Sequence, residues 1–381
     1  MKSLKFNLLK FPVVIAATAT LLSSALNPVF AESTSIPTTD KFEKYRNAII
    51  QDEIAFSQGN TKTLGMKSVD LENRIETLEN AEIVELTFNT SGVLVDADSS
   101  KDGKVVKRFV HDNISEPIKS DLQKPKVNGL NISPLSTITN PTTVPSGAST
   151  GAFHRIQTPA SKSLANSYTG VVADSITLPT YDVTAALDTT DGKKTEAAYL
   201  YTGIDPSIAE VGLVATRQLT FGMTPGWYPI FHARAAHQVG SGDTNGQDNT
   251  KEVYYDSKHR YDNGATISNY KVYYKYDEAT LSVRYIIGSQ IYQVNFPGTT
   301  STGKSVKRLT TIAMNGVTNN LQKFRVPFQT AAVWSNMRFL YNNGNAVKYP
   351  SEIADLDTDT WDHGGKIDYV KSGNVESILI N

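Results

Sequence analysis

Residues 270–287 read YKVYYKYDEATLSVRYII, and they decide the fold. Side chains alternate between the two faces of a strand. Tyr270, Val272, Tyr274 and Tyr276 therefore share one face, and Leu281, Val283, Tyr285 and Ile287 repeat the pattern. Asp277-Glu278-Ala279 between them suits a tight turn, so the stretch predicts an antiparallel hairpin.

The same period recurs on both sides of this hairpin. Strands are predicted at 167–178, 195–204, 209–216, 226–236, 267–276, 279–287, 290–296, 304–315 and 332–341. Gly, Asn and Asp separate them and no helical runs alternate with them. The class is mainly β, an antiparallel sandwich over 151–381. Upstream, 111–150 carries Pro117, Pro125, Pro134, Pro141 and Pro145 without periodicity, the composition of an extended linker. Residues 32–110 read as a small α+β region. Phe42, Tyr45, Ile49 and Phe56 recur at helical spacing, and Asp40 with Glu43 suits a capping box. A second helix is predicted near 69–78, and 83–88, 93–95 and 105–110 read as a strand meander.

At the start of the chain, Lys2, Lys5 and Lys10 flank or precede the apolar run Phe11–Leu26 (FPVVIAATATLLSSAL), and Val29-Phe30-Ala31 ends in a small residue. This pattern predicts a signal peptide over 1–31 and a mature chain beginning at Glu32, secreted or wall-associated. The run is too rich in Ser, Thr and Ala for a comfortable membrane span, and no later segment reaches about 18 uninterrupted apolar residues. A net charge of −1 argues against nucleic acid, whose phosphates need a basic surface. The absence of cysteine excludes disulfides, thiol catalysis, Cys-ligated zinc and iron–sulfur centres.

Residues 196–237 read EAAYLYTGIDPSIAEVGLVATRQLTFGMTPGWYPIFHARAAH. A strand closes on Thr202-Gly203-Ile204-Asp205, another opens with Ala209-Glu210-Val211-Gly212-Leu213, and Trp227-Tyr228-Pro229 follows. This order resembles the glutamic peptidases, a secreted concanavalin-like sandwich family. The C-terminal region as a whole also resembles the YrpD-type secreted proteins of bacilli. The resemblance implies a sandwich with a cleft lined by the Trp-Tyr-Pro strand. It also exposes two departures. Glu210 stands where the glutamic peptidases carry their catalytic Gln, and 306–313 (VKRLTTIA), with Lys307 or Arg308, stands nearest to their catalytic Glu. That chemistry needs a carboxylate to activate water and an amide to polarise the carbonyl. The fold therefore carries over and the peptidase activity does not. A Glu210–Arg308 pair across a cleft would suit ligand binding, or else be a structural ion pair at the sandwich rim.

Other chemistry is less specific. Glu196, Asp205, Glu210, Asp256 and Glu278 could supply a glycosidase pair, but none lies in a tight acid-x-acid strand signature. Asp355-x-Asp357-x-Asp359-x-x-Asp362 could wrap calcium, with an acidic solvated turn as the alternative. Asp96-x-Asp98 with Asp102 and Asp243-x-Asn245 with Asp248 are weaker copies. His232 and His237 fall on opposite faces of one strand, which argues against zinc. Tyr270, Tyr274 and Tyr276, with Trp227 and Tyr228, could form a flat platform for sugar rings, or be ordinary sheet packing.

Two function classes emerge. The favoured one is a secreted, non-catalytic protein that binds cell-wall or extracellular glycan through Glu210, Trp227, Tyr228, Arg308 and Tyr274. The other is a secreted hydrolase, a glycosidase or a glutamic-peptidase-like enzyme. Calcium at Asp355, Asp357 and Asp359 is the only cofactor the sequence suggests.

Overall fold

The hairpin forms as its alternation predicts. β10 (Thr266–Asp277) runs antiparallel to β11 (Thr280–Ile287), with Tyr274 opposite Val283 and Asp277 opposite Thr280. The computed structural model describes residues 38–64, 68–88, 94–109, 150–160, 167–187, 195–205, 209–216, 224–233, 253–256, 258–277, 280–297, 304–315, 324–342, 344–362 and 366–381. The expected signal peptide and nearly all of the Pro-rich stretch lie outside them.

The hairpin sits in the middle of a twelve-stranded sheet. On one side come β5 (Tyr168–Thr177), β14 (Ala332–Ser335), β19 (Val375–Ile380) and β18 (Ile367–Ser372). β15 (Arg338–Tyr341) also pairs with β5 and carries β16 (Ala346–Lys348). The single predicted strand 332–341 is thus two strands. Asn336 between them has a φ of 51°, a left-handed conformation that asparagine tolerates and that interrupts the pleat.

On the other side of the hairpin come β12 (Gln290–Pro297), β1 (Glu82–Phe88), β2 (Leu94–Lys101) and β3 (Lys104–Phe109). β1 pairs with β12 in parallel, Glu82 opposite Gln290 and Leu86 opposite Val294. The sheet is therefore mixed rather than purely antiparallel. Residues 40–110 and 151–381, read from sequence as separate units, share this one sheet, and all described residues fall in one compact unit.

The second sheet has seven strands in the order β17 (Asp357–Asp362), β4 (Thr150–Gln157), β13 (Ser305–Asn315), β6 (Thr195–Asp205), β7 (Ala209–Thr216), β8 (Trp227–Ala233) and β9 (Val253–Tyr255). Its even-numbered β6 residues and odd-numbered β7 residues face the twelve-stranded sheet. Ala198, Leu200, Val211, Leu213 and Phe231 enter one core with Tyr270, Val272, Val283, Tyr285 and Tyr292. Phe231 packs 4.9 Å from Tyr292 and 5.5 Å from Tyr285, ring centre to ring centre. Such aromatic pairs contribute about 0.5–1.5 kcal/mol beyond their buried area. The architecture is a β-sandwich.

α1 (Thr38–Leu64) and α2 (Ser68–Glu79) precede the strands. The buried stripe of α1 runs through Phe42, Arg46, Ile49, Glu53 and Phe56, alternating steps of four and three. Its apolar members pack with Val172, Tyr273, Ile286 and Ile291 of the larger sheet. Arg46 donates to the carbonyls of Leu78, Glu79 and Ala81 at 2.7–3.0 Å, closing the C-terminal end of α2, whose last carbonyls lack helical partners.

Candidate functional site

Strand register places the candidate residues. Across the outer face of the seven-stranded sheet, one row runs His232, Glu210, Gly203, Lys307, Gln157 and Asp357, each opposite the next. The next row on that face is Ile230, Gly212, Tyr201, Leu309, Arg155 and Asp359. The third is Tyr228, Val214, Tyr199, Thr311, Phe153 and Trp361. The face thus grades from charged to aromatic over three rows.

Glu210 is the centre of the charged row. Its carboxylate accepts a hydrogen bond from the Tyr201 hydroxyl at 3.0 Å, lies 3.2 Å from the Lys307 ammonium, and lies 3.8 Å from His232 Nδ1. Two glycines create this convergence. The Lys307 stem lies across Gly203, where a Cβ would come within 2.3 Å of Lys307 Cε. Tyr201 lies beside Gly212, where a Cβ would come within 2.5 Å of the Tyr201 Cα. Both approaches need a residue without a side chain. Glu210 keeps 14% side-chain exposure and His232 keeps 24%, so the carboxylate is preorganised yet reachable.

Arg308 does not join this site. It is the neighbour of Lys307 on β13, so it points to the opposite face. There it is fully buried, forms an ion pair with Glu376 of β19, and donates to His154 Nδ1 at 3.0 Å. The Trp334 ring lies 5.5 Å from its guanidinium carbon. Burial, and then the Arg308 charge, push His154 well below the ordinary histidine range, so the imidazole is neutral. Tyr369 stacks on it at 4.2 Å. Thus the Glu210–Arg308 pair expected from sequence is two separate pairs, Glu210 with Lys307 outside and Arg308 with Glu376 inside.

The expected aromatic platform is also divided. Trp227, Tyr270 and Tyr274 are buried between the sheets. Trp227 donates to Asn263 at 3.1 Å, Tyr270 meets Thr202 at 3.0 Å, and Tyr274 donates to the Tyr168 carbonyl at 3.1 Å. These three serve the core, because a buried aromatic with a satisfied polar tip has no face left for a sugar. Tyr228 lies on the outer side of the sheet but is buried there too, packed with Val214 and Ile230, so it offers no ring face either; burial pushes its hydroxyl up to about 12. It donates to the Thr224 carbonyl.

The aspartates read as a calcium loop are part of a strand. Asp355 sits in a left-handed turn with φ 59°, and Asp357 and Asp359 lie on β17. Their every-second-residue spacing is the strand period, which puts both on the outer face beside Arg155. Arg155 pairs with Asp359 and reaches Asp357 at 3.5 Å. Among the described residues, no group of three or more His, Asp or Glu could hold a metal ion.

Glu196 and Glu210, two of the carboxylates considered for a glycosidase, do not face one another. Glu196 lies on the inner side of β6 and Glu210 on the outer side of β7. Glu196 accepts from Tyr181 and from the backbone of Arg325 and Val326 at 2.8–3.0 Å, anchoring that loop. Asp256 accepts from Tyr292 at 2.7 Å and meets His259 at 2.8 Å. Glu278 and His237 lie outside the described residues. Sequence reading missed Tyr201, His232 and Lys307 as partners of Glu210. The signal was Gly203, which faces both Glu210 and Lys307 once the three strands are in register.

Neither a known protein family nor a curated protein matches the chain, so the likeness to YrpD-type proteins gains no support. Solved structures similar to it include Scytalido-glutamic peptidase with a peptide-based transition state analog, at 10% identity and a TM-score of 0.37. They also include SCP-B, a member of the Eqolisin family of peptidases, with the tripeptide Ala-Ile-His, at 11% and 0.29. Each match covers 61% of this chain and 98% of the other. The likeness is too distant to carry a residue role to this chain. Among the described residues, no helix is long and apolar enough to cross a membrane.

Proposed function

We propose that this chain is a secreted, non-catalytic binding protein that receives a cell-wall or extracellular glycan on the outer face of its seven-stranded sheet. The observation that supports the reading is the grading of that face. A row of fixed charged groups centred on Glu210 lies beside rows containing the partly exposed Tyr201, Tyr199 and Trp361. Sugars present hydroxyls on their edges and apolar C–H surfaces on their faces, and ligand sites combine apolar walls with a few placed polar groups. Glu210 accepts from hydroxyls, Lys307 donates to them, and the half-buried tyrosines offer ring surface.

The arrangement favours binding over hydrolysis. A glycosidase needs a second carboxylate about 5–9 Å away, whereas Glu210 is surrounded by Tyr201, Lys307 and His232. A carboxylate held this way accepts hydrogen bonds and, unlike an amide, has no N–H with which to polarise a carbonyl. The hydrolase reading keeps one point in its favour, the 3.8 Å approach of His232 to Glu210.

A glycan array with purified protein tests the proposal. Binding is expected, and Glu210→Gln should weaken it at least about tenfold, as expected for loss of a hydrogen-bonded charge. Acid-pH proteolysis of a denatured substrate that disappears in Glu210→Ala would instead establish a peptidase.

A further inference from the structure

His259 stands between two carboxylates that belong to different sheets. Its Nδ1 lies 2.8 Å from Asp256, which follows β9 of the seven-stranded sheet. Its Nε2 lies 3.4 Å from Glu82, the first residue of β1 in the twelve-stranded sheet. Both carboxylates are almost wholly buried, whereas His259 keeps 14% side-chain exposure, enough to trade a proton with solvent. β1 itself is fixed by its registered pairing with β12. Residues 258–262 are irregular and only partly buried, and their ties to the sandwich are short. Tyr261 exchanges backbone hydrogen bonds with Trp227 at 2.8 and 2.9 Å, and its hydroxyl donates to Gln290 at 2.8 Å. Arg260 donates to the Pro225 carbonyl at 2.8 Å, so the segment also holds the entry into β8, the strand that carries His232. An imidazolium has a proton on each nitrogen, whereas the neutral ring has one N–H and one lone pair. Only the charged ring can therefore donate to both carboxylates.

We propose that His259 is a proton-operated clasp: as imidazolium it fastens segment 258–262 across the two sheets to the start of β1, and on losing its proton it lets go of Glu82 and loosens that segment. Glu82 is the partner released, because Asp256 is nearer and lies on the histidine's own stretch of chain. Burial would lower His259, but Asp256 and Glu82 outweigh it and raise it. Stability of this kind is complete below the ordinary histidine value and is lost as pH rises through the folded one. The surrounding groups do not reverse the sign. Lys258 lies 3.0 Å from Glu82 and keeps that carboxylate compensated when the imidazole is neutral, so the loosening stays local. Tyr292 of β12 donates to Asp256 at 2.7 Å, with Tyr254 of β9 near it. Burial pushes the Tyr292 and Tyr261 hydroxyls well above their ordinary value, so both stay neutral while His259 titrates. Arg260 and Asp262 pair with each other at 2.8 Å.

The test follows the full chain by NMR, with the His259 ring signal identified by its loss in His259→Gln. Its titration midpoint should lie above the ordinary histidine value and should fall in Glu82→Gln, which removes one of the two carboxylates. Hydrogen-exchange protection of the Tyr261 amide should drop as pH rises through that midpoint, by about tenfold for each pH unit that separates it from the ordinary value. Amides of the β10–β11 hairpin should not follow this drop, and in His259→Gln it should vanish. A midpoint at or below the ordinary value overturns the proposal, and so does Tyr261 protection that stays level across the midpoint. A drop shared equally by the hairpin amides also overturns it, because the proton would then govern the whole fold and not this segment.

Discussion

Lys307 and Arg308 are consecutive on β13 and serve opposite faces of the same sheet. Lys307 lies over Gly203 on the outer face and meets a carboxylate that solvent can reach. Arg308 points inward, where no part of it is exposed, and meets Glu376 and a neutral His154. Both are cation–carboxylate pairs, yet the physics differs. The outer pair keeps a little contact with solvent, 11% for Lys307 and 14% for Glu210. The inner pair is dehydrated, so removing one partner strands a charge. A one-residue step in a strand separates an ion pair on the outer face from one sealed between the sheets.

The largest expected effect is on the inner side. Arg308→Met should lower unfolding stability by about 3–5 kcal/mol, because Glu376 is left without its cation. Trp227→Ala should cost a similar amount, about 3–5 kcal/mol, through loss of a filled core position. Glu210→Gln should cost less than either, because the amide oxygen can still accept from Tyr201 and the site keeps some contact with solvent. Urea unfolding of the three variants measures the contrast. Equal losses for Arg308→Met and Glu210→Gln would erase the distinction between the faces.

A middle-sized effect should come from Gly203→Val. The added side chain occupies the space of the Lys307 stem, so Lys307 should swing away from Glu210. Overpacking of this kind costs about 1–3 kcal/mol, and glycan binding should fall with it. Retained affinity in this folded variant would show that the Lys307–Glu210 pair does not form the binding surface.

A smaller effect sharpens the inner environment. His154 should show no imidazole titration by NMR across about pH 5–8, the span in which an unperturbed histidine changes charge. A folded-state value held low means the unfolded chain takes up more protons in acid. Stability should therefore fall as pH drops below the ordinary histidine range. The smallest effect is expected from calcium. Asp357 and Asp359 already share Arg155, so saturating calcium should leave the melting temperature unchanged. A clear rise would reinstate the aspartates as ligands.

The sequence made the regular parts of this molecule legible. Val211, Leu213 and Ala215 alternate cleanly, and β7 spans the predicted 209–216. Helical spacing of Phe42, Ile49 and Phe56 located α1. β17 was hidden because its alternating residues are aspartates, which suggest a loop when the partner arginine lies some two hundred residues earlier in the chain. The site was half legible. Glu210 stood out, but whether Lys307 or Arg308 faced it depended on register with β6, and register is set by pairing between distant strands. The aromatic residues misled for a related reason. Tyr270 and Trp227 have the same composition whether they line a surface or fill a core, and only the sheet stacked above them decides.

The parallel pairing of β1 with β12 also sets an order in time. Residue 82 emerges from the ribosome, or across a membrane, roughly 200 residues before its partner at 290, and contacts this distant form slowly. Until then the Ile83-Val84-Glu85-Leu86 backbone has no neighbour on its β12 edge. A chain built this way cannot finish its larger sheet piece by piece as it is made. Closure of β2 covers only the other edge of β1, so the first described strand keeps its β12 edge open until its partner is made.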